Sequence, residues 1–148
     1  DRDADSGSAM NGKYSKRSGL NAADVTALRA LYGARPNDAF EGTVGNSTLA
    51  AASLLTAAAD PANAAFRRVV ANGSITTTSD VDVYRFVTPT GTTSLTVRLG
   101  TAGKSMLAGK VEVLNSAGTV VKTVTNTSPL QGDTLLTLTG VAAGATYY

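Results

Sequence analysis

The sequence predicts a mainly β protein: an antiparallel sandwich or barrel preceded by a polar loop and one α-helix. Three observations carry this. From about Thr43 onward the 148-residue chain is rich in Thr, Val, Gly and Ser, and its apolar residues fall in short runs separated by turn signals, as in small all-β domains. Within several runs apolar and polar residues alternate with period two, so that one face of each strand is apolar. Ahead of them stands one segment with helical spacing and capping signals at both ends.

Residues 1–19 are polar and irregular. The helix follows. Asn21 is a good N-cap, and Asp24 stands three residues later, where a side chain reaches back to the cap. Leu20 and Val25 occupy the two positions of a hydrophobic staple. Val25, Leu28, Leu31 and Tyr32 give one apolar face. Gly33 ends the helix and Pro36 follows as a breaker. A helix this short is marginal alone in water, so its apolar face is expected to pack on something. The polar residues before it cannot supply that cover.

"GARPNDAFEG", Gly33 to Gly42, joins the helix to the β region. "TLAAASLLTAAADPANAAF", Thr48 to Phe66, has alanines that favour helix and an Asp60-Pro61 step that interrupts one. It is read as a linker-like segment over the sandwich with room for one short helix. The predicted strands lie in "RRVVANGSIT", "VDVYRFVT", "TSLTVRLG", "GKVEVLN", "GTVVKTVTN", "DTLLTLTG" and the terminal "TYY". Tyr84 and Phe86 alternate with Arg85, and Leu95, Val97 and Leu99 alternate with Thr96 and Arg98, marking core faces. Asn115 to Thr119 reads as a hairpin turn. The chain stops at Tyr148 in what reads as mid-strand, and there is no tandem repeat.

Composition narrows the function. The formal net charge is +2, from 13 basic and 11 acidic residues, and the basic residues are scattered, which argues against nucleic acid. Arg67-Arg68 and the Lys13, Lys16, Arg17 cluster read as solvated faces. No apolar run is long enough for a membrane span. The opening "DRDADSGSAM" is not a signal peptide. Its alternating acids also lack the downstream Glu of an EF-hand loop. The chain has no Cys and no His. That removes disulfides, thiolate sites, the commonest zinc ligand and any Ser-His-Asp triad. The two Glu, Glu41 and Glu112, sit in no recognisable catalytic pair. This chain alone is expected to be catalytically inactive.

"SAM", Ser8 to Met10, followed by "SGLNAADVTALRALYG" resembles the end of the catalytic domain of matrixin-type metzincins, a family of zinc endopeptidases. In that family a helix carrying H-E-x-x-H-x-x-G-x-x-H is followed by a methionine-containing turn beneath the metal, the Met-turn, and then by a closing helix. Leu20, Asp24, Val25, Leu28, Leu31, Tyr32 and Gly33 match the closing pattern. Ala23 departs from it, standing where the family often has a second acid. Met10 falls at the Met-turn position, where a soft thioether packs under imidazole ligands without competing for zinc. The resemblance implies that the three histidines lay upstream, so zinc belongs to the parent protein and its ligands are absent here.

The second part resembles a bacterial pre-peptidase C-terminal domain, a small jelly-roll-like sandwich found after secreted proteases. The resemblance runs over "DAFEGTVGNSTLAAASLL", "GSITTTSDVDVYRF" and "AAGATYY", in the family's order. It implies two domains: residues 1–35, the Met-turn and last helix of a truncated α/β protease domain, and 36–148, the sandwich, cut at its last strand. It also implies calcium in some members, at positions that are Glu41, Asn46, Asp80 and Asp82 here. Two readings of these residues stay open. Hard oxygens from two separated segments suit Ca²⁺; equally, Asp80 and Asp82 can simply cap a turn before a strand. The inserted "GTVG" after Glu41 favours capping, because it is expected to displace that ligand.

The resulting expectation is the C-terminal fragment of a secreted zinc metalloendopeptidase acting on a protein or peptide substrate. Its accessory sandwich would serve secretion, folding or substrate attachment, and the chain would be a monomer. The alternatives are a non-catalytic adhesin- or lectin-like binding module and a spacer.

Overall fold

A computed structural model describes residues 7–9, 11–12, 19–34, 36–105, 107–128 and 130–148. The chain divides into two compact units, Asp1–Pro36 and Asn37–Tyr148.

The first unit holds helix α1, Ala22–Tyr32. Asn21 caps it: its side-chain oxygen accepts from the Asp24 N–H at 2.8 Å, and the Asp24 carboxylate accepts from the Asn21 N–H at 3.2 Å. These reciprocal bonds satisfy backbone donors that a helix start otherwise leaves open. At the other end the Gly33 N–H donates to the Arg29 carbonyl at 2.9 Å. The expected cover of the apolar face is not found among the described residues: Leu31 and Tyr32 are 76% and 81% exposed. The buried helix residue is instead Asp24.

The second unit is mainly β and sandwich-like. Its described strands are β1 (Ser53–Leu54), β2 (Ala58–Ala59), β3 (Arg67–Arg68), β4 (Tyr84–Val87), β5 (Ser94–Leu99), β6 (Lys110–Leu114), β7 (Val120–Thr125), β8 (Thr134–Thr139) and β9 (Thr146–Tyr147). β4 lies between β1, parallel to it, and β9, antiparallel. Reciprocal hydrogen bonds of 2.8 and 2.9 Å between Leu114 and Tyr148 continue this sheet to β6. β6 in turn pairs antiparallel with β7 through the Asn115–Thr119 turn. β5 and β8 form a separate antiparallel pair over six residues each. No set of described strands closes into a barrel.

Alternation decides which residues meet between these layers. Leu95, Val97 and Leu99 face inward from β5 while Ser94, Thr96 and Arg98 face out. Val113, Leu136, Val141 and Tyr147 are buried at the centre, with Phe86, Val111, Val124 and Leu138 packed around them. Phe86 stacks on Tyr147 with ring centroids 6.3 Å apart. Such burial is the main favourable contribution to a fold of this size.

The alanine-rich segment forms no helix. The Ser53 N–H donates to the Val83 carbonyl and the Leu55 N–H to the Arg85 carbonyl, at 3.0 and 2.8 Å, so β4 takes up the backbone groups of this stretch. Further on, Ala58 and Ala59 pair with Arg68 and Arg67. Neither alanine run is long enough to nucleate a helix against such partners, and Asp60 caps the turn at Ala62 instead, at 2.8 Å.

Candidate metal centre

The site is built from two segments of the second unit. In the first, Asp38 turns the chain: its Oδ1 accepts from the Phe40 N–H at 2.7 Å and the Glu41 N–H at 3.3 Å. This is an Asx-type turn. Glu41 Oε2 reaches back to the Asp38 N–H at 2.7 Å. Asp38 Oδ2 accepts the N–H of Ser74 at 2.7 Å, which ties this turn to the chain leading into the second segment.

The inserted residues 42–45 do not displace Glu41, contrary to expectation. The Gly45 N–H donates to the Glu41 carbonyl at 2.7 Å, closing a small outward loop. Gly42 and Gly45 take φ of 54° and 76°, conformations that other residues adopt with strain. Val44 at the tip is 89% exposed, whereas Glu41 and Asn46 on either side are buried. The insertion is absorbed as a bulge that leaves both flanking side chains inside.

The second segment supplies Asp80 and Asp82. Asp80 Oδ2 accepts from the N–H and the hydroxyl of Thr76, at 2.6 and 2.9 Å, so Asp80 caps a turn as the simpler reading holds. It also stands in a cluster: one carboxylate oxygen from each of Glu41, Asp80 and Asp82 lies within 4.8 Å of the others. Turn capping and convergence occur together. Asn46 joins through the backbone, its carbonyl accepting the Val83 N–H at 2.9 Å, beside Asp82 in the chain.

Among the described residues, the buried side-chain atoms without a hydrogen-bond partner are Asn46 Nδ2 and Oδ1, Ser74 Oγ and Asp82 Oδ1. Buried polar groups are normally satisfied, and each exception costs about 1–3 kcal/mol. Asn46 and Asp82 belong to the two segments that form this cluster, and Ser74 to the chain that leads into the second. The Asp82 carboxyl is held above the ordinary carboxylate range, first by burial and then by Asp38, Asp80 and Glu41. No described ion pair involves Glu41 or Asp82.

Hard oxygens and a concentrated negative charge fit Ca²⁺, which takes oxygen ligands in flexible geometry. Glu41, Asp82 and the Asn46 amide oxygen have capacity for it, with Asp80 contributing from the turn. Zinc does not fit: the chain has neither His nor Cys, the residues that hold structural and most catalytic zinc.

Tyr84, read from the sequence as core, belongs to this site. Its ring meets Phe40 edge-on, with centroids 5.4 Å apart, and its hydroxyl donates to Asp82 Oδ2 at 3.4 Å. Burial, then the Asp82 and Asp38 carboxylates, push its phenol well above the ordinary value. Gly73 allows the close approach: a Cβ there would come within 2.4 Å of both Asp82 Oδ2 and the Tyr84 hydroxyl. Sequence reasoning missed Asp38, Gly73, Ser74 and Tyr84. Asp38 had a signal, an acid three residues before Glu41 in the same polar turn.

In the first unit, Met10 lies outside the described residues, as do residues 1–6 and the Lys13, Lys16, Arg17 cluster. Just before Met10, the Ser8 hydroxyl donates to Asp24 Oδ1 at 2.5 Å and the Ala9 N–H to Asp24 Oδ2 at 2.8 Å. The carboxylate that completes the capping box thus also fastens the preceding polar segment, and both Ser8 and Asp24 are buried. No family model, curated protein or solved structure matches the chain.

Proposed function

We propose that this chain is the C-terminal portion of a secreted zinc endopeptidase, comprising the end of its catalytic domain and a non-catalytic accessory sandwich that binds calcium. The observation that carries the protease part is the Asp24 carboxylate, bound to Ser8 and Ala9 while it caps α1. A methionine-bearing turn under a metal site needs a fixed backbone, and this carboxylate fixes the two residues before Met10. The uncovered Leu31 and Tyr32 suit a helix that belongs to a larger domain. Zinc would supply an activated water to the peptide bond in the parent protein, held by residues outside this sequence.

The cation part rests on the unpartnered oxygens around Glu41, Asp80 and Asp82. Extracellular calcium modules work at about 10⁻⁴–10⁻³ M Ca²⁺, and such a site would keep the sandwich folded after export and lax before it. The parent reading frame tests the protease assignment: H-E-x-x-H-x-x-G-x-x-H is expected within about 20 residues before Asp1, in the metzincin order of zinc helix then Met-turn, with a secretory signal further upstream. A parent frame without the three-histidine motif defeats that assignment and leaves an accessory or spacer sandwich.

A further inference from the structure

Tyr84 stands against Asp82, an acid of the cluster, without being a ligand itself. Its hydroxyl faces Asp82 Oδ2 at 3.4 Å. This contact is not a short, well-formed hydrogen bond: 3.4 Å is long for O–H···O. Gly73 backs the pair so closely that a Cβ there would strike both the Asp82 carboxylate and the hydroxyl. The hydroxyl therefore has little freedom to turn elsewhere.

A phenol hydroxyl has one proton to give and lone pairs to receive. Its neighbour fixes the direction. Asp82 Oδ2 is an acceptor and takes the proton. This leaves Asp82 Oδ1, buried and unpartnered, not engaged by the phenol. We propose that Tyr84 is a positioning residue of the cation site: its hydroxyl engages Asp82 Oδ2, so that Oδ1 of the same carboxylate is presented to the ion. The proposal rests on the cation reading of Glu41, Asp80 and Asp82. It accounts for glycine at position 73.

The test is calorimetric titration of the full 148-residue chain with Ca²⁺, wild type against Tyr84→Phe, together with the melting temperature of each without cation. Phenylalanine keeps the ring and its edge contact with Phe40 and removes only the hydroxyl. The expected result is a Ca²⁺ affinity about three- to tenfold weaker, the scale of one hydrogen bond, with the cation-free melting temperature little changed. A purely structural tyrosine would shift the melting temperature and leave the affinity alone; unchanged affinity overturns the proposal. Gly73→Ala is a second variant, expected to weaken binding by pushing on the same two groups. Bound Tb³⁺ gives a readout that needs no variant, because a phenol next to the ion sensitises its emission. Tb³⁺ that competes with Ca²⁺ yet shows no tyrosine-sensitised emission also overturns the proposal. Wild-type chain that binds no Ca²⁺ defeats the cation reading, and this inference with it.

Discussion

The Asp38 carboxylate accepts the backbone N–H of Ser74 at 2.7 Å, and this bond joins the turn carrying Glu41 to the chain that runs into Asp80 and Asp82. Asp38 spends its other oxygen on the Phe40 and Glu41 N–H groups, so it acts as a clasp. Asp38→Ala should lower stability by about 1–3 kcal/mol through the backbone donors it strands, and should weaken Ca²⁺ binding because Glu41 is no longer held. Denaturant unfolding and a Ca²⁺ titration of the same variant check both.

Asp82 predicts a stability gain from losing a charge. Its folded-state pKa is raised, by burial first and then by Asp38, Asp80 and Glu41. A raised carboxyl pKa contributes stability that is present below the unfolded value and is lost as pH rises through the folded one. At neutral pH the ionised Asp82 therefore works against the cation-free fold. Asp82→Asn should melt higher than wild type at pH 7 without Ca²⁺, should converge with it in acid, and should show no gain on adding Ca²⁺. Melting curves across pH, with and without chelator, decide this; an Asp82→Asn variant that melts lower at pH 7 would contradict it.

Asp24 links α1 to Ser8 and Ala9. Asp24→Ala removes a capping-box partner, worth about 0.5–2 kcal/mol, along with the anchor of the preceding segment. Loss of amide-exchange protection at Ala9 and in the first turn of α1, with the sandwich amides unchanged, is the expected outcome. Protection retained at Ala9 would mean that the segment is held by something else.

The core makes a simpler demand. Leu136 is 2% exposed and lies in the central cluster with Val113 and Tyr147. Leu136→Ala should cost about 2–5 kcal/mol, read by denaturant unfolding, whereas Leu135→Ala on the outer face of the same strand should change stability little.

The strands that were legible in the sequence are those with clean alternation. β5 half-buries every second residue from Leu95 to Leu99, as period two requires when one face meets a core. Helix α1 was legible from its caps, because local side-chain to backbone bonds determine where it begins. The alanine-rich segment was not, because its strands are specified by what β4 offers across the sheet rather than by propensity. At the site, Glu41, Asn46, Asp80 and Asp82 came from the resemblance to the pre-peptidase C-terminal sandwich, but the effect of the inserted loop was misread. Glycines at 42 and 45 let four residues leave and return in one turn. Tyr84 was read as core because it shares a strand face with Phe86. That face passes from the apolar centre at Phe86 to the acidic cluster at Asp82, and alternation cannot show where one gives way to the other.

The most direct measurement is calorimetric titration of the wild-type chain with Ca²⁺ at neutral pH, with Mg²⁺ as the comparison cation. Saturable binding in the range of about 10⁻⁴–10⁻³ M, as in extracellular modules, is the expected result, and Mg²⁺ should bind more weakly because it demands a tighter octahedron. At ten times the Kd the bound ion should add about 1.4 kcal/mol and raise the melting temperature by about 5 °C. Glu41→Gln and Asp82→Asn should each abolish the effect. A wild-type chain with no saturable heat and an unchanged melting curve would contradict the cation site, and would leave Glu41, Asp80 and Asp82 as turn-forming residues alone.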